Sequence, residues 1–342
     1  MDIITEEFKE ALRQAVEEYA GEPVIIEPVL KNNGVKLSGL SIRPNIDGSR
    51  VSPTFYIESI KPEYRNSRKK AHLDTLAARI VEAISYQQSS VSKDMEADRV
   101  GQILADEDEL QRRIMPRLIN YDWNHELLKE TPYKRFLDLA VTFYIEVSED
   151  AAMRIRDGMV EMSVDQMYEA AMKNARLRQY SVMQIGDLVE RSLRSSGVSM
   201  IPGARLAGGA GGLGEAGGLV GTGGLEAVDI YTVPMVVITN RSGVNGAYGM
   251  LDEELLESVA DGFTSPTVQS GGEVKTGIDA MYVIPSSVNE ILATPMSWGT
   301  GVEAETTHIR EMIKAVNETL VRTEWLSESV YIYEKGRGVR VA

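Results

Sequence analysis

The stretch that most constrains the fold lies in the last quarter of the chain and reads AMYVIPSSVNEILATP, from Ala280 to Pro295. Its first part, Met281 to Ile284, is an unbroken apolar run with β-branched and aromatic residues, and Pro285 ends it. The run is too short for an ordinary helix, so it predicts a strand that is buried on both faces. We expect this strand near the middle of a sheet.

Two serines follow the predicted strand. Proline cannot donate to a β-ladder and serine readily bonds nearby backbone, so Ser286 and Ser287 predict a turn before a second extended segment, Val288 to Thr294. The alternative is a nucleophile on a strained turn. That motif requires a glycine two residues on either side of the serine, and neither serine has one. We favour the turn and keep Ser286, Ser287 and Glu290 as the candidate residues of a hydrolase-like alternative.

Charge and cysteine content exclude several function classes. The chain of 342 residues has a formal net charge of -15, whereas nucleic-acid binding depends on clustered lysine and arginine, so no nucleic-acid partner is expected. The dense basic cluster between Lys61 and Lys70 is interpreted as a solvated face. With no cysteine, the chain has no disulfide, no thiolate nucleophile and no cysteine-bound metal.

No stretch approaches about 18 consecutive apolar residues, and the acidic start lacks the basic and apolar regions of a signal peptide. We therefore expect a cytoplasmic protein with no membrane partner.

Local patterns predict an α+β fold with mixed, largely antiparallel sheets and packed amphipathic helices. A helix over Thr5 to Tyr19 is followed by a hairpin at Asn32-Asn33-Gly34 and by a third strand, Ser52 to Ile57. Further on, the pattern predicts one central strand from Arg135 to Val147, in which Asp138 is expected to pair with an arginine or with backbone groups. The remaining predictions are strands over 113–121 and 230–239, helices over 164–175, 183–193 and 303–320, and a polar loop over 264–277.

A glycine-rich tract divides the chain. Ala207 to Gly224 holds ten glycines in eighteen residues, and within it Gly212, Gly214 and Gly217 match the dinucleotide-binding fingerprint by letters. The fingerprint requires a preceding strand and a following helix, which the neighbouring Pro202 and further glycines do not predict. We interpret the tract as a flexible surface loop at 196–228, between an N-terminal α+β half at 1–195 and a C-terminal α+β half at 229–342.

The three histidines predict no metal site. His72, His125 and His308 are far apart in sequence, and the pair His125-Glu126 lacks the second histidine of a zinc-protease helix because position 129 is Lys129. No metal and no cofactor is predicted.

Several short segments, taken in order, resemble one bacterial family, the domain of unknown function 5688. They are Asn32 to Ile42, Leu118 to Tyr121, Phe136 to Val141, Tyr282 to Glu290 and Val316 to Thr319. The resemblance covers most of the chain except the glycine tract. It implies a soluble α+β protein of anaerobic Gram-positive bacteria, with no established activity and no catalytic residues. The family often has a histidine before the glutamate of the Pro-Ser-Ser motif, where this chain has Asn289, which weakens an acid–base role there.

Two functions remain open at this stage. The first is a non-enzymatic binding or adaptor protein, whose loops Ala207 to Gly224 and Thr264 to Gly277 contact an unknown protein partner. The second is a hydrolase with a site at Ser286, Ser287 and Glu290, which needs His125 or His308 within hydrogen-bond reach of a serine.

Overall fold

The structure is a computed structural model that describes residues 4–42, 54–90, 95–147, 152–187, 234–268, 274–296 and 302–342. Its helices and largely antiparallel sheets confirm the predicted α+β class. The chain forms two compact units, residues 1–113 with 145–153 and residues 114–144 with 154–342. The predicted tract at 196–228 lies outside the described residues, so the division at 1–195, 196–228 and 229–342 stays a prediction.

The first unit opens with the predicted helix and hairpin. Helix α1 (Glu6–Ala20) is capped by Thr5, whose side chain accepts from the Phe8 amide, and it ends at Gly21 in the left-handed region. Strands β1 (Val24–Leu30) and β2 (Lys36–Ile42) pair antiparallel around Asn33 and Gly34, which have φ of 60° and 69°. Strand β3 (Thr54–Tyr56) pairs with β2, and α1 packs against α2 (Lys70–Ser90). Helices α3 (Met95–Ala105) and α4 (Glu107–Arg113) follow.

A four-stranded sheet, most of whose residues belong to the second unit, corrects one prediction. Arg135 to Val147 is not one strand, because Leu137 takes a φ of 55° and turns the chain back on itself. Asp138 therefore lies in a hairpin turn and not inside a strand. The sheet order is β4-β6-β5, with β7 paired to β6. Its strands are β4 (Ile114–Asn120), β5 (Tyr133–Phe136), β6 (Leu139–Glu146) and β7 (Ala152–Arg154).

Two helices are associated with β4. The short helix α5 (His125–Leu128) follows β4 along the chain, and helix α6 (Val164–Leu177) packs against β4. Helix α6 begins with a capping box between Ser163 and Gln166, and the buried Asn174 side chain donates to the Ile114 carbonyl at 2.9 Å.

The second unit also contains a six-stranded sheet with the predicted strand in its interior. The order is β15-β14-β12-β13-β9-β8, and every neighbouring pair is antiparallel. Met281, Tyr282, Val283 and Ile284 of β12 are at most 4% exposed, which confirms the prediction for this stretch. The strands are β8 (Tyr180–Gln184), β9 (Val236–Asn240), β12 (Ala280–Ile284), β13 (Ile291–Pro295), β14 (Tyr331–Glu334) and β15 (Gly338–Val341).

Two further predictions of the second unit were wrong in part. The first two residues of the helix predicted over 183–193, Met183 and Gln184, belong instead to strand β8. Their pairing with β9 outweighs the local helical pattern. The predicted polar loop 264–277 contains strands β10 (Thr264–Val268) and β11 (Val274–Thr276), which pair with each other.

Helix α7 (Glu253–Gly262) and helix α8 (Val302–Thr319) complete the second unit. The face of α8 that packs inward carries Thr306, Ile309, Ile313 and Asn317. The helical spacing of the apolar residues in the sequence also predicts an inward Met312, but Met312 is 40% exposed. No described helix of either unit is long and apolar enough to cross a membrane.

Candidate functional site

Three connecting segments meet at one edge of the six-stranded sheet. They are Pro285 to Glu290 between β12 and β13, the segment 241–251 after β9, and the segment 320–330 before β14. The register places the adjoining strand ends side by side, because Ile284 pairs with Leu292, Ile291 with Ile238 and Val283 with Tyr331. We call this edge the loop edge.

The Pro-Ser-Ser segment forms a tight turn in which the serines bond to their own neighbours. The Ser286 amide donates to the Ile284 carbonyl at 3.0 Å, and the Ser287 amide donates to the Glu290 carbonyl at 3.2 Å. The Ser287 hydroxyl accepts from the Asn289 amide at 3.0 Å. Both serines are buried, at 8% and 6% exposure. The hydroxyl of Ser287 is therefore used to hold the turn, as the sequence predicted.

Glu290 closes this turn from the other side. The Ser286 hydroxyl donates to the Glu290 carboxyl, with 3.3 Å between Oγ and Oε1. Burial raises the pKa of Glu290 above its usual range, and the hydrogen bond from Ser286 opposes part of that rise. A carboxyl with a raised pKa beside a hydroxyl is the one chemical feature here that resembles an acid–base pair.

Asn289 and Gly246 join the Pro-Ser-Ser turn to the segment after β9. The Asn289 carbonyl accepts from the Thr239 hydroxyl at 2.7 Å, and its side-chain oxygen accepts from the Asn245 amide at 3.0 Å. A Cβ at Gly246 would lie 2.6 Å from both the Asn240 nitrogen and the Asn289 carbonyl oxygen. Only glycine allows the two segments to approach this closely. The polar groups named here hold backbone segments in place.

Asp138 finds the partners that its charge requires. Its carboxylate accepts from the hydroxyls of Ser327 and Ser329, each at 2.9 Å, and from that of Tyr331 at 2.7 Å. Tyr331 is 0% exposed, and burial together with the Asp138 charge raises the pKa of its phenol well above the usual value. The partners are thus three hydroxyls contributed by the loop edge and β14, and not the arginine or backbone groups that the sequence led us to expect.

The histidines do not reach the serines. Among the described residues, which include all three histidines and both serines, no hydrogen bond joins an imidazole to Ser286 or Ser287. His125 packs edge-on against Tyr121 at 5.1 Å, His308 is exposed on α8, and His72 is 2.8 Å from the Ser67 hydroxyl. The described residues also contain no group of three or more histidine, aspartate or glutamate side chains placed to hold a metal ion.

A cluster of aromatic and arginine side chains, which the sequence did not predict, lies beside these segments. The Arg322 guanidinium lies over two indole rings that contact each other edge-on, 4.4 Å from the centroid of Trp123 and 4.2 Å from that of Trp325. The Arg135 guanidinium stacks on the Tyr121 ring at 3.5 Å. We call these five residues the Arg–Trp surface; Arg135 is exposed and the other four are half-buried.

Backbone contacts hold the Arg–Trp surface against the structures already described. The Val288 amide donates to the Glu324 carbonyl at 2.9 Å, and the Tyr121 amide donates to the Asp138 carbonyl at 3.0 Å. The Trp325 indole donates to the Leu320 carbonyl at 3.3 Å. The only sequence signal for this surface is that two of the three tryptophans belong to it, since about 200 residues separate Trp123 from Trp325.

Comparison with known proteins gives one match. A family model described as "Family of unknown function (DUF5688)" matches residues 5–335. No curated protein and no solved structure matches the chain.

Proposed function

We propose, from the premise that the chain belongs to the DUF5688 family of unknown function, that it is a non-enzymatic binding or adaptor protein whose partner is another protein. The observation that carries the proposal is the Arg322 guanidinium held against both the Trp123 and the Trp325 ring on a half-exposed surface. The proposal includes a cytoplasmic bacterial setting, and it includes neither a nucleic-acid nor a membrane ligand.

The residue types of the Arg–Trp surface support a protein partner. Tryptophan, tyrosine and arginine dominate the binding energy of protein–protein interfaces because each buries a large area with few rotatable bonds lost. Arg322 is already ordered by two rings, so a partner that contacts it has less side-chain entropy to remove. The neighbouring Val321 is 62% exposed and adds apolar area at the same place.

A hydrolase at Ser286, Ser287 and Glu290 is the second candidate. The hydrogen bond between Ser286 and Glu290 and the raised pKa of Glu290 support it. Against it stand the burial of both serines and the use of the Ser287 hydroxyl by the Asn289 amide. A nucleophilic serine needs an accessible hydroxyl and a base that is ionised at the working pH, and a raised carboxyl pKa disfavours that ionised form.

Affinity capture from the native host tests the first candidate. The bait is the full chain as wild type, as the double variant Arg322→Ala/Trp325→Ala and as the control Tyr19→Ala, which removes an aromatic side chain that is 60% exposed on α1. We expect one stoichiometric partner with the wild type and with Tyr19→Ala, and loss of that partner with the double variant. Equal recovery by all three folded baits contradicts the proposed surface.

Two further measurements separate the alternatives. Deletion of residues 207–224, which lie outside the described residues, shows whether that tract contributes to capture as the sequence hypothesis holds. An esterase and amidase screen of the wild type and of Ser286→Ala tests the hydrolase, and turnover that Ser286→Ala abolishes overturns the non-enzymatic proposal.

A further inference from the structure

Two arginines on strands that both pair with β6 of the four-stranded sheet form no ion pair with any described residue. Arg117 lies on β4 and Arg154 on β7, and both strands pair with β6. Each side chain is half-buried, and the Nε of each is buried without a hydrogen-bond partner. Within the described ranges neither guanidinium has a hydrogen bond or an ion pair.

Other arginines with the same degree of burial are paired. Arg13, Arg65 and Arg113 are also half-buried, and each donates its Nε to an oxygen, at 3.0 Å to Glu10, 2.7 Å to the Ile60 carbonyl and 2.6 Å to Glu109. Buried charges are normally paired in this way because removal from water is costly. Arg117 and Arg154 depart from that rule in the same small region.

The strand contacts show that the two arginines belong to one cluster. The Ile155 amide donates to the Phe143 carbonyl at 3.0 Å, which sets Arg154 beside Tyr144, and the Thr142 hydroxyl donates to the Arg117 carbonyl at 3.2 Å. Thr142 and Tyr144 project to the same face of β6. Arg117 interacts electrostatically with both Tyr144 and Arg154, so the two positive charges flank the tyrosine.

The cluster is electrostatically unfavourable as it stands. Burial lowers the pKa of Arg117, and the Arg154 charge lowers it further while Tyr144 acts in the opposite direction. Burial also lowers the pKa of Arg154, with a contribution from Arg156, and the Glu130 carboxylate offsets this without forming an ion pair within 4.0 Å. Arginine nevertheless stays protonated in proteins, so the cluster keeps two positive charges in a chain of net charge -15.

We propose that Arg117 and Arg154 form a binding site for the phosphate group of a small molecule. Two guanidinium groups present planar donor pairs that match phosphate oxygens, and a phosphate monoester carries a charge near −2 at neutral pH, which equals the uncompensated charge of the pair. A single carboxylate group neutralises only one of the two positive charges of Arg117 and Arg154. This site is distinct from the Arg–Trp surface and does not depend on the function proposed for that surface.

Titration calorimetry of the full chain tests the site. Inorganic phosphate is the first probe and glycerol 3-phosphate the second, each compared with sodium chloride at equal ionic strength. We expect phosphate binding by the wild type and by the control Arg310→Gln, which removes an exposed arginine of α8. Arg154→Gln is expected to weaken binding by about tenfold or more, because it removes one charge-assisted donor pair.

Thermal unfolding supplies a second measurement that is independent of calorimetry. In phosphate-free buffer Arg117→Gln is expected to melt at the same temperature as the wild type or higher, because it removes an unpaired, half-buried charge. Phosphate is then expected to raise the melting temperature of the wild type but not of Arg117→Gln. If Arg117→Gln does not fold, Arg154→Gln carries the same comparison.

Three results overturn the proposal. The first is an equal effect of phosphate and chloride on the wild type at matched ionic strength. The second is wild-type phosphate affinity in Arg154→Gln. The third is binding of a dicarboxylate such as succinate in the absence of any phosphate binding. Tighter binding of glycerol 3-phosphate than of inorganic phosphate supports a small-molecule ligand, and equal binding supports a site for the phosphate group alone.

Discussion

The Pro-Ser-Ser turn and the Arg–Trp surface are neighbours that use their side chains in opposite ways. In the turn, Ser286, Ser287 and Asn289 all bond to groups next to them, and two of them are buried. On the Arg–Trp surface, Trp123, Arg322 and Trp325 stack on one another and remain half-exposed. Polar residues that resemble a catalytic motif thus make local hydrogen bonds here, whereas the surface proposed for binding consists of residues without any motif.

The largest expected effect comes from breaking the internal framework at Gly246. Gly246→Ala places a methyl group 2.6 Å from the Asn240 nitrogen and from the Asn289 carbonyl oxygen, and neither backbone atom can move freely. We expect a loss of about 3 kcal/mol of unfolding free energy, measured by chemical denaturation. The control Gly262→Ala, where nothing lies within 4 Å, is expected to change stability little. Equal stability of the two variants contradicts the close approach.

A second test of the same framework removes the charged side chain of Asp138. Asp138→Ala removes the acceptor of three hydroxyls and leaves the buried Tyr331 phenol without that bond. We expect a loss of about 2 kcal/mol. Tyr331→Phe, which removes one donor and leaves the carboxylate with two, is the matched comparison, with an expected loss of about 1 kcal/mol. Asp138→Ala with wild-type stability would show that the network contributes nothing to folding.

The Arg–Trp surface is expected to matter less for stability than for binding. Trp325→Ala removes the stack on Arg322 and the bond to the Leu320 carbonyl, and we expect a loss of about 1.5 kcal/mol. A double-mutant cycle with Arg322→Ala measures the coupling of the pair, expected at about 0.5–1 kcal/mol. A stability loss as large as that of Gly246→Ala would place this cluster with the framework and weaken the binding proposal.

The variant Ser287→Ala tests whether the Ser287 hydroxyl stabilises the turn, as distinct from having a catalytic role. It removes the acceptor of the Asn289 amide, and we expect a loss of about 1 kcal/mol, measured by thermal or chemical unfolding. The neighbouring Ser286→Ala, whose hydroxyl makes the longer 3.3 Å bond, is expected to lose less. A larger loss for Ser286→Ala reverses the roles assigned to the two hydroxyls.

The smallest expected effect on stability is that of Glu290→Gln, and this effect depends on pH. A carboxyl whose pKa is raised by folding holds its proton more tightly in the folded state, so stability falls as pH rises from the unfolded pKa through the folded one. Melting temperatures from pH 4 to pH 8 are expected to show wild type losing stability relative to Glu290→Gln. Parallel curves for the two proteins contradict a raised pKa.

The sequence predicted the elements that local patterns control. Thr5 and Gly21 bound α1, Asn33 and Gly34 turn the first hairpin, and the apolar run 281–284 forms an interior strand. Each of these depends on residues within a few positions of one another, so the chain's own order carries the information. The turn formed by the serines follows in the same way, because both serines bond to backbone at most four residues away.

Only the tertiary structure decided how distant residues combine. Asp138 meets hydroxyls that lie 189 to 193 positions later, and Arg322 is stacked on Trp123 from the other half of the chain. No glycine in the sequence indicates the hairpin turn at Leu137. The positive φ of Leu137 persists because the paired strands and the hydrogen bonds of Asp138 hold the backbone there. The charges that surround Arg117 and Arg154 are likewise determined by residues on the neighbouring strands. A linear sequence does not specify those neighbours, because they are set by which surfaces the folded units bury.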